Sequence, residues 1–131
     1  MKANELRIGN WVKGSFLGEL CKVTQLGHEK YHEYVGAEGI GFYGQNGFEP
    51  IPLTPEILVK AGFKRDKQGH YRKYLDKGRF FVLRGSEYDY KSNSHIDCLK
   101  VMYYDNVNVI YLHQLQNLYF ALTGKELTFD L

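Results

Sequence analysis

Cysteine and proline are scarce: two and three residues respectively in a chain of 131. Cys21 and Cys98 are too few for the disulfide framework of a small secreted domain. No C-x-x-C pair exists, which removes the strongest zinc and dithiol signals. No apolar run approaches the ~20 residues that a membrane-spanning helix needs, and the opening MKANELRIGNWV has no apolar signal-peptide core. These absences predict a cytoplasmic protein with free thiols and no membrane association. Charge of one sign is also lacking: 17 Lys and Arg against 15 Asp and Glu leave +2, too little to imply a partner. No element pairs two carboxylates, which weakens a glycosidase reading. Ser15 and Ser86 adjoin single glycines and form no nucleophile elbow.

Aromatic residues are what the chain has in excess. Eleven Tyr, eight Phe and one Trp make 15% of it, and such rings favour the pleated, half-buried surfaces of strands. At 131 residues the chain can bury roughly two-thirds of its unfolded surface without a metal or disulfide.

Alternation predicts a first strand over 6–12, with Leu6, Ile8 and Asn10 on one face and Arg7, Gly9 and Trp11 on the other. Gly14 and Ser15 read as a turn, 16–26 as a second strand and 27–33 as a polar loop. Glycines at 36, 39, 41, 44 and 47 fit short, bulged strands, so the front third reads as a β meander. Such a meander can form an open SH3-like barrel. The run Pro50-Ile51-Pro52-Leu53-Thr54-Pro55-Glu56 marks a boundary. Thr54 is a helix N-cap, Pro55 the first helical residue, and Gly62 the left-handed stop.

Strands are expected at 63–65, 70–75 and 79–84, turned at Gln68-Gly69 and Lys77-Gly78. Residues 85–95 read as a polar loop. A hairpin of 99–104 and 107–112, turned at Asp105-Asn106, comes next. A final helix over about 113–123 stops at Gly124, with Tyr111, Leu112, Leu115, Leu118, Tyr119 and Leu122 in one apolar stripe. Leu127 can fold back on its last turn. The predicted fold class is therefore α+β. A β-rich subdomain spans 1–52; a subdomain of helix, mostly antiparallel strands and C-terminal amphipathic helix spans 53–131, the two forming one unit.

Chemical motifs are weak. Gly39-Ile40-Gly41-Phe42-Tyr43-Gly44 matches G-x-G-x-x-G, but Gln45, Asn46, Gly47 and Pro50 follow where a dinucleotide fold needs a helix. Cys21, His28, His32, His95 and Cys98 can be gathered on paper into a zinc set, yet no helical pattern surrounds His28 and His32. Cys98 has no helix N-terminus to activate it. We therefore assign no catalytic, cofactor-binding or metal-binding residue and expect no cofactor and no enzyme.

Two groups stand out. Residues 60–84 hold nine Lys and Arg against two Asp. Lys64, Arg65, Lys67, Arg72, Lys73, Lys77 and Arg79 lie on adjoining strands and turns, interleaved with Tyr71, Tyr74, Phe80 and Phe81. Cations can neutralise phosphates while rings stack on unpaired bases, so these seven are candidate nucleic-acid contacts. A solvated sheet face with edge lysines explains the same pattern. On the final helix, His113, Gln116, Asn117 and Phe120 lie opposite the apolar stripe. That face either is covered by the front β unit, or meets a protein partner or second copy, or carries one stray exposed Phe.

The stretches NELRIGNWV, EPIPLTPEILVKAGF and HQLQNLYFALTGKEL together resemble a family of short proteins of unknown function. These are encoded by phages, prophages and other mobile elements of gut bacteria. His113 to Gly124 is the most specific segment. The resemblance implies a bacterial cytoplasmic setting and an accessory role, and brings no activity, cofactor or site residue. The functional expectation is an accessory, protein-interacting or self-associating protein, with nucleic-acid binding through 60–84 as the alternative.

Overall fold

The computed structural model describes residues 1–16, 18–29, 32–39, 41–44, 47–84, 99–101 and 104–129. The chain is α+β, and its described residues form two antiparallel five-stranded sheets and two α-helices. Contacts divide it into two units. The first comprises 1–52 and 111–121, and the second 53–110 and 122–131. The break after Pro52 coincides with the proline-rich boundary read from the sequence. The bulk of the final helix, however, groups with the N-terminal residues.

The first unit contains β1 (Trp11–Gly14), β2 (Leu20–Glu29), β3 (His32–Ala37), β4 (Gly41–Gly44) and β5 (Phe48–Glu49), in the order β4-β3-β2-β1-β5. Among the described residues no pairing joins β4 to β5. The expected strand over 6–12 is not formed. Ala3–Glu5 is a 3-10 turn, and Gly9 takes a φ of 94°, which starts the strand only at Trp11. Leu6 is consequently buried and Ile8 exposed, not on one face as alternation implied.

The expected loop over 27–33 is also replaced, because β2 and β3 form a hairpin pairing Gly27 with Tyr34 and His28 with Glu33. The Tyr34 ring lies over Gly27 where a Cβ would stand, an aromatic cover for a strand glycine. A core of Ala3, Leu6, Val12, Cys21, Val23, Val35, Ala37 and Phe48 holds this sheet together.

The second unit opens with α1 (Pro55–Lys60). The Thr54 hydroxyl accepts the Ile57 N–H at 3.2 Å. Glu56 and Lys60 pair at 3.1 Å one turn apart. Gly62, at φ 89°, ends the helix as the sequence required. Then follow β6 (Lys64–Arg65), β7 (Tyr71–Asp76), β8 (Arg79–Arg84), β9 (Leu99–Val101) and β10 (Tyr104–Val109), ordered β10-β9-β8-β7-β6.

Lys77 and Gly78, at φ 46° and 77°, make a two-residue hairpin turn between β7 and β8. Asp105 and Asn106 do not turn the last hairpin. They lie within β10, where the register shifts between Tyr104 and Asn108, because a bulge tolerates them as well as a turn does. Phe63 and Phe81 meet edge to face at 5.8 Å, and Tyr71, Leu83 and Leu127 are buried.

The last helix, α2 (Leu112–Thr123), ends before Gly124 at φ 71°. An isolated bridge pairs Pro52 with Tyr111, and the Leu112 N–H donates to the Ile51 carbonyl at 2.9 Å. Leu112, Leu115 and Tyr119 are buried as the stripe predicted, but Leu122 is 58% exposed.

Candidate nucleic-acid interface

The helix face offered as an interface is engaged within the first unit. His113 and Gln116 are buried. The Gln116 Oε1 accepts the Trp11 backbone N–H at 2.9 Å and the Asn10 Nδ2 at 3.5 Å, and its Nε2 donates to the Gly9 carbonyl at 3.3 Å. Asn117 accepts from Asn10 Nδ2 at 2.9 Å and Arg7 Nε at 3.0 Å, and donates to the Glu5 carbonyl at 2.9 Å. Gly9 and Asn10 bond to Val23 of β2, and side-chain amides satisfy backbone groups of 5–11 that point toward α2.

The His113 Nε2 stands 3.6 Å from the Glu5 carboxylate, longer than a hydrogen bond, and its ring stacks on Tyr111 at 5.9 Å. Burial pushes its pKa down, opposed by the Glu5 charge. Phe120 stays 39% exposed, with the Arg7 guanidinium 4.3 Å over its ring. Asn10 and Arg7, central to this network, were missed as functional positions. The available signal was Asn10 itself, a polar residue on an apolar face.

The basic residues of the second unit divide by strand alternation. Antiparallel register sets Lys64 opposite Arg72, Arg72 opposite Val82, and Tyr74 opposite Phe80. Tyr71, Phe81 and Leu83 occupy the buried side, so Lys64, Arg72, Tyr74 and Phe80 share the other, and all four are exposed. The Arg72 guanidinium lies 4.5 Å over the Phe80 ring, and Tyr74 meets that ring edge on at 5.4 Å. Lys77 and Arg79 are exposed at the adjoining hairpin turn, and Lys67 at the β6–β7 turn.

Arg65 and Lys73 alternate toward the other side of the sheet. Arg65 stands 5.7 Å over the Tyr71 ring, and the Lys73 ammonium donates to the Ala61 carbonyl at 2.8 Å. Burial lowers the Lys73 pKa. A Cβ on Gly62 would fall 2.5 Å from that ammonium, so the helix stop leaves room for the lysine that caps it.

These groups surround a cleft of about 380 Å³ beside the β6 edge. Lys64, Arg65, Arg72 and Lys73 bring four cations to it, and Tyr74 and Phe80 bring rings. Among the described residues of the lining Asp66 is the one carboxylate, and its Oδ1 accepts the N–H groups of Gln68 and His70, both at 2.9 Å.

The other motifs supply no comparable site. Gly41 to Gly44 forms β4. Among the described residues, no three His, Cys, Asp or Glu side chains gather where a metal could sit; His95 and Cys98 lie outside those residues. The Cys21 thiol is buried 3.7 Å from the Val12 carbonyl, and burial, then the Glu19 charge, raises its pKa, the reverse of an activated nucleophile. No described helix is long and apolar enough to cross a membrane. Comparison with protein-family models, curated proteins and solved structures finds no match to this chain.

Proposed function

We propose that this chain is a nucleic-acid-binding accessory protein of a phage or other mobile element, acting in the cytoplasm through the outer face of β6–β8. The observation that carries the reading is the convergence of Lys64, Arg72, Tyr74 and Phe80 on one solvent face, with Lys77 and Arg79 at its end. Cations release counterions from phosphates, and exposed rings add contacts that tolerate any sequence. The proposed role is binding.

The test is fluorescence anisotropy with labelled single-stranded oligonucleotides across salt. Each phosphate neutralised on a single strand contributes about −0.7 to the log–log slope, so four exposed cations predict roughly −3. Lys64→Glu with Arg72→Glu weakens binding and flattens that slope by about 1.4. Absence of binding at about 50 mM salt overturns the reading.

A second reading, a protein partner, draws on Phe16 and Leu20, which are 80% and 45% exposed beside the β1–β2 turn. Capture from the host with and without nuclease separates the two. Nuclease-resistant protein capture that Phe16→Asp abolishes supports the partner, and nuclease-sensitive capture supports nucleic acid.

A further inference from the structure

The His113 side chain is 1% exposed, yet among the described residues neither ring nitrogen makes a hydrogen bond. Buried polar groups nearly always find a partner, so packing alone is a poor reason for a histidine here. The Tyr111 ring stacks on it at 5.9 Å. The Glu5 carboxylate stands 3.6 Å from Nε2 and is 45% exposed. Burial disfavours a proton on the ring, the Glu5 charge favours it, and the Met1 amino group disfavours it. A carboxylate so open to water offsets only part of the burial.

Glu5 belongs to the 3-10 turn Ala3–Glu5, so the N-terminal segment lies against the ring. Asn117 Nδ2 holds the Glu5 carbonyl at 2.9 Å, and Arg7 reaches back to Asn117 at 3.0 Å and over Phe120 at 4.3 Å. Ala3 and Leu6 are buried beneath the segment. Gly9 follows at φ 94°, with nothing within 4 Å of where a Cβ would stand. Its N–H donates to the Val23 carbonyl at 2.8 Å. The sheet therefore anchors the chain from Gly9 onward and leaves this glycine, at the end of the segment, to absorb a change of direction.

We infer that His113 is a proton-sensitive latch for residues 1–8: a proton on its ring releases the segment, which turns about Gly9 and uncovers Leu6 and Phe120. Above about pH 6.5 the ring is neutral with the segment closed or open, and the latch does not respond. Below it the open ring takes the proton and the closed ring resists. The open fraction then rises by up to about tenfold per pH unit until the closed-state pKa is passed.

The test is amide hydrogen exchange of the full chain by NMR between pH 7 and 5, corrected for the intrinsic pH dependence. The reporters are the amides of Leu6, Arg7 and Asn10, which donate to the Ala3 carbonyl at 3.1 Å, the Asn10 Oδ1 at 2.7 Å and the Arg7 carbonyl at 3.1 Å. Their protection is expected to lie well below that of β2 and β3, and to ignore about 1 M urea, as local opening exposes little surface. It is expected to fall by up to about tenfold per pH unit below about pH 6.5. His113→Phe keeps an aromatic ring against Tyr111 and abolishes the fall. Glu5→Gln removes the charge that favours the closed protonated ring and deepens the fall at pH 5. Reporters that match β2 and β3 in protection and urea response overturn the latch, because release then needs global unfolding. So does protection that stays flat from pH 7 to 5, or falls equally in His113→Phe. In the wild-type protein, a His113 ring signal that titrates at or above about 6.5 overturns it without any variant.

Discussion

Gln116→Leu removes the amide that joins α2 to the backbone of 9–11 while keeping similar volume. Three hydrogen bonds disappear. Asn10 keeps its bond to Asn117 at 2.9 Å, so the groups left unsatisfied are the Trp11 N–H and the Gly9 carbonyl. Each unsatisfied buried group costs about 1–3 kcal/mol, a gross loss of about 2–6 kcal/mol. Burial of leucine's own apolar surface returns part of that, roughly 1.5–3 kcal/mol. The net expectation is a destabilisation of about 1–3 kcal/mol. Urea unfolding is the assay, followed by fluorescence of Trp11, the single tryptophan of the chain and the neighbour of the lost bond. With a slope near 2 kcal/mol per molar urea, the midpoint falls by about 0.5–1.5 M. Asn10→Ala shares the network, so the double variant should depart from additivity by about 0.5 kcal/mol or more. An unchanged midpoint with unchanged Trp11 emission would refute the claim that amides hold this helix in place.

His113 predicts a pH dependence of known sign. Burial lowers its pKa below the ordinary 6.5, against the pull of Glu5. Above 6.5 the ring is neutral folded and unfolded and contributes nothing. As pH falls through 6.5 the unfolded chain takes the proton first, and stability drops by up to about 1.4 kcal/mol per pH unit until the folded pKa is passed. His113→Phe flattens that loss in Trp11-monitored melts between pH 7 and 5. In the second unit, Gly62→Ala forces a left-handed backbone onto an L-residue and pushes the Lys73 ammonium aside. A cost of about 1–2 kcal/mol is expected from the backbone alone, read as faster amide exchange in β7.

The parts of the fold that were legible in the sequence are those with local causes. Thr54, Pro55 and Gly62 bracket α1 because capping chemistry acts within one turn. Lys77-Gly78 turns β7 into β8 for the same reason. The outward row of Lys64, Arg72, Tyr74 and Phe80 follows from alternation once the strands are placed. What failed depended on distant partners. Leu6 and Ile8 alternate in sequence, but a 3-10 turn and the left-handed Gly9 break the strand. Its polar groups are met by Gln116 and Asn117, more than a hundred residues away. The hairpin through Gly27 was hidden by polar composition, because its glycine is covered by Tyr34 from the neighbouring strand. The cleft was invisible because Gly62, Asp66 and Lys73 reach it from a helix stop, a turn and a strand.

The first unit is made of 1–52 and 111–121, with 58 residues of the other unit between them. A ribosome adding about 5–20 residues per second needs roughly 3–12 s to cross that interval. Throughout it, Gly9, Asn10 and Trp11 wait for the amides of Gln116 and Asn117 that will satisfy them. A nascent chain stalled before Tyr111 should therefore be sticky and prone to capture by chaperones. Cutting the gene at the proline-rich boundary should leave 1–52 without the 111–121 that completes its unit, so that fragment should not behave as a domain.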